Sequence, residues 1–225
     1  MNDELLAVAK PSGLPSQSTR DPRRPSLDVV LKQQLSLPGI FPVHRLDVGT
    51  SGVMLWARTS SVAHELSAGL QSRSWTKVYW AIAAQNPKAN PKTWLSEPWR
   101  VDNHLKLRRS KARGQQLNLN LPTRSGGDRA ITEFRCLLHS GRAALIEARP
   151  LTGRRHQIRT HLASHAAPIV GDLDYGGESA PRLMLHAYQL RWPWRGEVME
   201  VIAPPPHDFQ NEAKARGLDL LGQSC

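Results

Sequence analysis

Ile40-Phe41-Pro42-Val43-His44-Arg45-Leu46-Asp47-Val48-Gly49-Thr50-Ser51-Gly52-Val53-Met54-Leu55-Trp56-Ala57 reads as two short apolar runs flanking a polar loop. Ile40 to Val43 and Val53 to Ala57 have the length and apolar character of strands. Toward the N-terminus, Leu5 to Ala9 is a further short strand, broken by Lys10-Pro11-Ser12-Gly13. Ser26 can cap a helix from Leu27 to Leu35, in which Leu27, Val30, Leu31 and Leu35 share a face, and Pro38-Gly39 ends it. Toward the C-terminus, Ser60 or Ser61 can cap a helix in which Val62, Leu66 and Leu70 repeat every four residues. Lys77 to Ala83 alternates as a strand, with Val78, Trp80 and Ile82 on one face and Tyr79 and Ala81 on the other. Leu117, Leu119 and Leu121 alternate too. Strands follow near Ala130–Leu138, Ala143–Ala148, Leu183–Leu190 and Val198–Ala203, and His156 to His165 reads as a helix. Many short strands with a few helices, in no strict βαβ order, predict an α+β fold with a largely antiparallel sheet.

The stretch from about 86 to 128 fits this pattern least. It is rich in Pro, Gly, Arg and Lys and reads as a basic irregular insertion carrying Lys106, Arg108, Arg109, Lys111 and Arg113. Such a segment is either a solvated loop or a grip on phosphates. The whole chain has a formal net charge of +11. That points to a polyanionic partner, most simply nucleic acid, although a basic soluble protein without one has the same composition. Apolar residues are 40% of the 225, enough for a folded core. No run is long enough to span a bilayer as a helix, and the N-terminus has no signal-peptide pattern. Cys136 and Cys225 are the two cysteines, which excludes a disulfide framework and makes the cytoplasm the expected compartment.

Three segments concentrate functional side chains. In the first, His44-Arg45-Leu46-Asp47 places a carboxylate in a loop between strands. A lone Asp there can equally be a turn residue bonding its own backbone. In the second, Lys77-Val78-Tyr79 turns Tyr79 away from the face of Val78 and Trp80, toward a cleft or toward solvent. In the third, a Gly-bearing loop opens the helix of Thr152-Gly153-Arg154-Arg155-His156-Gln157-Ile158-Arg159-Thr160-His161-Leu162. Helix N-termini attract anions. Arg159 follows the apolar anchor Ile158, so its guanidinium is expected to be partly buried and to need a carboxylate, for which Asp47 is the candidate.

Taken together, these segments resemble the RluA family of RNA pseudouridine synthases. The resemblance rests on His44-Arg45-Leu46-Asp47-x-x-Thr50-Ser51-Gly52, Lys77-x-Tyr79-x-Ala81 and Thr152 to Leu162. It continues in order through Gly171-Asp172-x-x-Tyr175-Gly176, Arg182-Leu183-x-Leu185-His186-Ala187-x-x-Leu190 and Ala203-Pro204-x-Pro206, covering about Leu5 to Phe209. Ala9 stands where the family commonly has Asn before Lys-Pro. The resemblance implies a pseudouridine synthase fold around a basic catalytic cleft. It implies one catalytic domain over 1–225, without the small N-terminal S4 domain of many relatives. Asp47 matches the catalytic aspartate, Tyr79 the tyrosine that packs on the flipped base, and Arg159 the arginine that pairs with the carboxylate. Arg45 matches an arginine that helps displace the base. His44, Lys77, Arg154 and His156 are further candidates for substrate binding.

The implied reaction breaks the bond between uracil N1 and ribose, turns the base and rejoins it through C5. It is redox-neutral, so no metal or other cofactor is expected. The expected partner is RNA, ribosomal or transfer, with no membrane, no obligatory protein partner and a monomeric enzyme. Asp47 must be ionised to act, and a neighbouring guanidinium favours that form while burial opposes it. One rival is a metal-dependent nuclease using His161 and His165, though Leu162 stands where a zinc-protease-like helix would carry Glu. The other is a non-catalytic RNA-binding protein on the same fold, against which Asp47, Tyr79 and Arg159 are all present.

Overall fold

The computed structural model describes residues 4–19, 23–35, 39–72, 74–85, 97–112 and 115–220. The chain divides into two compact units, Met1–Lys77 with His186–Pro204, and Val78–Leu185 with Pro205–Cys225.

The first unit is built on β3 (Ser51–Ala57), whose residues are all buried. β1 (Leu5–Lys10) lies antiparallel to it, pairing Leu5 with Ala57 and Lys10 with Gly52. β2 (Phe41–Pro42) pairs antiparallel with its end, and is shorter than the strand expected over Ile40–Val43. At its start, Ser51 and Gly52 run parallel to His186 and Ala187 of β9 (Leu185–Trp194). Gly52 is required there: at φ 115° a Cβ would stand 2.2 Å from the Ala187 carbonyl oxygen. β10 (Glu197–Ile202) returns antiparallel along β9. Both residues of the turn, Arg195 and Gly196, have positive φ, as the tightest hairpins demand. Helix α1 (Leu27–Leu35) buries Leu27 and Leu31. Helix α2 (Ser60–Gln71) buries Val62 and Leu66, and its cap is Thr59, whose hydroxyl accepts from Val62 N. The cap is thus one residue before the serines expected to fill it. Pro38, read as part of the α1 stop, lies outside the described residues.

The second unit is an antiparallel series: β4 (Thr76–Ala84, its first two residues in the other unit), β8 (Ala143–Pro150), β7 (Asp128–Ser140), β5 (Trp99–Ala112) and β6 (Gln115–Thr123). Helix α3 (Gln157–Ser164) packs on β6, β7 and β8. A 3-10 turn at Leu173–Tyr175 and helix α4 (His207–Ala215) complete the unit, and α4 buries Phe209 and Ala213 completely.

The irregular insertion expected over about 86–128 is corrected for much of its length. Trp99–Ala112 and Gln115–Thr123 form a long hairpin, with Leu105 opposite Pro122 and Arg108 opposite Leu119. Val101, Leu105 and Leu119 are buried, while Lys106, Arg108 and Arg109 are exposed to solvent. Pro122 is tolerated because β6 ends the strand order, where a missing N–H breaks no ladder. Residues 86–96 and Arg113 lie outside the described residues.

Candidate active-site residues

In the first unit, Asp47 sits half-buried in the loop between β2 and β3, with Arg45 exposed beside it. Thr50 N donates to the Asp47 carbonyl at 3.1 Å, closing a tight turn. The segment after β1 braces this loop. The ammonium of Lys10, which is 1% exposed, donates to the carbonyls of Pro11 and Leu14 at 2.8 Å and of Val48 at 3.2 Å. Ser12 donates to Gly49 O at 2.7 Å, Gly13 N donates to Val48 O at 2.8 Å, and the Ser16 hydroxyl exchanges bonds with both Leu46 N and Leu46 O. Residues 46 to 49 are therefore tied on either side of the carboxylate. Sequence reading misses this role, because Lys10-Pro11-Ser12-Gly13 signals only a strand break.

His44 accepts a hydrogen bond from Leu55 N at its Nε2, 3.0 Å away, so its proton sits on Nδ1. Burial, and then the nearby charge of Lys77, push its pKa down to about 4. Burial also lowers the pKa of Lys77. On the far side of the motif, Ser51 Oγ lies 2.9 Å from His186 Nδ1, and His186 Nε2 donates to Ala203 O at 2.8 Å. A neutral His186 therefore takes its Nδ1 bond from the Ser51 hydroxyl.

In the second unit, Tyr79 is half-buried on β4, opposite Ala148 of β8. Arg159 is buried in α3, as expected, with only 9% of its side chain exposed. Its Nε and Nη2 each donate to Asp172 at 2.7 Å, and Nη2 also reaches Asp174 at 3.3 Å. The Tyr175 ring centroid lies 4.9 Å from the guanidinium carbon. The buried cation thus has carboxylates within its own unit, so its need for one does not by itself require Asp47. His156 precedes α3 in a left-handed conformation at φ 56°. Its Nδ1 lies 3.1 Å from the Tyr175 hydroxyl, and burial, Arg159 and Arg155 push its pKa down to about 3. His44 and His156 are therefore neutral at pH 7 and offer only uncharged donors or acceptors. Arg154 bonds Arg129 O through Nε and lies 3.7 Å from Asp128.

Gln157 fixes the start of α3. Its Oε1 accepts from Thr152 Oγ1 and Arg154 N, while its Nε2 donates to Ile131 O and Thr132 Oγ1. His161, the metal-ligand candidate, has both ring nitrogens engaged, with Thr132 Oγ1 at 2.9 Å and Asn103 Oδ1 at 3.0 Å. It is a satisfied core histidine.

A family model described as RNA pseudouridylate synthase matches residues 4–164. An uncharacterized RNA pseudouridine synthase of Synechocystis sp. is 30% identical over 223 residues, covering 93% of this chain, which spans 65% of that relative's length. The tRNA pseudouridine synthase C of Vibrio cholerae is 32% identical, with 85% of this chain and 82% of the relative covered. Among solved structures, human RNA Pseudouridylate Synthase Domain Containing 4 superposes with a TM-score of 0.75 at 25% identity, covering 97% of this chain and 92% of that one. No helix among the described residues is long and apolar enough to cross a membrane. The carboxylate loop, the strand tyrosine and the arginine helix occur in a chain that belongs to the RluA family of RNA pseudouridine synthases, isomerases that convert uridine to pseudouridine.

Proposed function

We propose that this chain isomerises specific uridines in a stem-loop of ribosomal or transfer RNA, with Asp47 as the reactive carboxylate. Tyr79 gives the flipped base a flat face, and Arg159 donates to the carboxylate. Arg45, His44, Lys77, Arg154 and His156 contact the RNA. The chain acts in the cytoplasm as one catalytic domain and a monomer, without an obligatory protein partner. Taking a base out of a stem costs a few kcal/mol, which phosphate contacts from a chain of net charge +11 offset.

The observation that supports this reading best is the bracing of residues 46 to 49 by Lys10, Ser12, Gly13 and Ser16. A turn aspartate of no consequence needs no such fixing, whereas a reacting carboxylate must be held to a fraction of an ångström. The test is Asp47→Asn, assayed by tritium release from RNA carrying C5-labelled uridine. Turnover is expected to vanish while folding and RNA binding persist, because an amide cannot attack as an anion. Substantial turnover by this variant refutes the assignment. Mapping pseudouridine across cellular RNA with and without the gene identifies the target.

A further inference from the structure

We propose that Asp172, Asp174 and Tyr175 form a receptor that fixes the Arg159 guanidinium, making Asp172 and Tyr175 positioning residues for the reaction. This rests on the reading that Arg159 serves that reaction. The Gly171-Asp172-Leu173-Asp174-Tyr175-Gly176-Gly177 segment has no part in the chemistry so far described.

Its backbone is closed tightly around Asp172. Gly171 N donates to Glu178 O, Asp172 N donates to Ile169 O, and Tyr175 N and Gly177 N both donate to Asp172 O. A Cβ on Gly171, at φ 81°, would stand 1.8 Å from Arg182 O, and one on Gly177 would stand 2.0 Å from Ile169 O. The loop therefore accepts no side chain at either end and has little room to shift. The carboxylate it carries is 1% exposed and grips the guanidinium in two-pronged fashion, both contacts at 2.7 Å. That geometry sets the guanidinium plane. Tyr175 sets the other direction, because its ring lies against the cation. The tyrosine is itself held, since Asn120 N donates to its hydroxyl at 3.1 Å.

Two consequences follow from the charges. With Asp172 and Asp174 on it, the guanidinium is already balanced, so it acts on a further carboxylate through directed hydrogen bonds rather than net charge. Its Nε–Nη2 edge is committed to Asp172, so that further carboxylate has to approach from the Nη1 side. An arginine in this role depends on its orientation, and the receptor supplies it.

Chemical rescue tests this. Arg159→Ala is expected to lose turnover, and added guanidinium ion is expected to restore at least about tenfold of it by occupying the vacated receptor. Arg159→Ala combined with Asp172→Asn is expected to show no restoration, because an amide turns a donor toward a donor. Tyr175→Leu lowers kcat with KM for RNA unchanged, and Tyr175→Phe, which keeps the ring, loses far less. Equal rescue with and without Asp172, or a folded Arg159→Ala that guanidinium does not rescue, overturns the proposal. Should Arg159→Ala not fold, the Tyr175 pair decides, and equal losses in Phe and Leu refute it. A parent enzyme that forms no pseudouridine, or an Arg159→Ala variant with full turnover, refutes instead the underlying reading of the reaction.

Discussion

Replacing Lys10 by Met keeps the length of a buried side chain and removes its ammonium. Three carbonyls lose a donor: Pro11, Leu14 and Val48. Val48 O keeps its bond from Gly13 N at 2.8 Å, so the damage falls on the other two. A fully buried acceptor left unmet costs about 1–3 kcal/mol. Pro11 is exposed and Leu14 half-buried, so water replaces part of what they lose, and relief of the ammonium's own desolvation offsets part of the rest. The net loss is then about 2 kcal/mol, which lowers the melting temperature of a chain this size by about 4–8 °C. Function falls further than stability, because Val48 adjoins Asp47 and its carbonyl loses the Lys10 bond, keeping the one from Gly13 N. Thermal melting read by circular dichroism, with tritium release at a temperature where the variant is fully folded, separates the two effects. A melting point within about 1 °C of the parent, together with unchanged turnover, refutes the bracing argument and with it the structural support for Asp47.

Two further predictions concern binding and pH. Lys106, Arg108 and Arg109 are exposed on the β5–β6 hairpin, and changing all three to Gln should reduce the salt dependence of RNA affinity by about one unit of slope for each phosphate no longer neutralised. An unchanged slope in filter binding over a range of salt returns the hairpin to the solvated reading. His161 is fully buried, with its pKa pushed down to about 4, first by burial and then by the charge of His165. The unfolded chain binds that proton between pH 6.5 and 4 and the folded one does not, so stability is full above this window and is lost as pH falls through it. By pH 5 the loss from this one residue is about 2 kcal/mol. Urea unfolding at pH 7 and pH 5 should show His161→Asn flattening the decline by that amount, and parallel declines in parent and variant would contradict it.

Much of the fold is readable from sequence because apolar spacing survives wherever one face of an element is buried. The spacing places α1 to its end residues, and β1, β3, β4, β7 and β8 to within a residue or two. The β5–β6 hairpin is obscured because solvated cations and amides such as Arg100, Lys106, Arg108, Gln116 and Asn118 stand between its apolar residues, so its composition reads as loop although the alternation of Leu117, Leu119 and Leu121 is visible. α4 escapes notice because Phe209 and Ala213 are its buried residues, too few to set a period over nine positions. Strand order and register leave no mark on a single chain. The parallel seam at Gly52 and Ala187 joins residues with no shared local pattern, and only the structure shows why a glycine stands there.

The candidate site shows where reasoning from need stops. Burial of Arg159 is legible from its place beside Ile158, and so is its demand for a carboxylate. Demand does not choose among suppliers. Asp172 escapes a reading by sequence because nothing in the spacing of thirteen residues indicates that a glycine-flanked loop folds back onto α3. Asp47 is favoured there because it lies in a segment already rich in functional side chains. Lys10 is hidden too, since local rules classify it as part of a strand break whereas the structure buries it as a donor to three carbonyls. Sequence exposes candidates for chemistry because they are out of place where they stand, as Asp47 is between apolar strands. The groups that hold them are at home in their own segments, so their roles emerge only once the chain has folded.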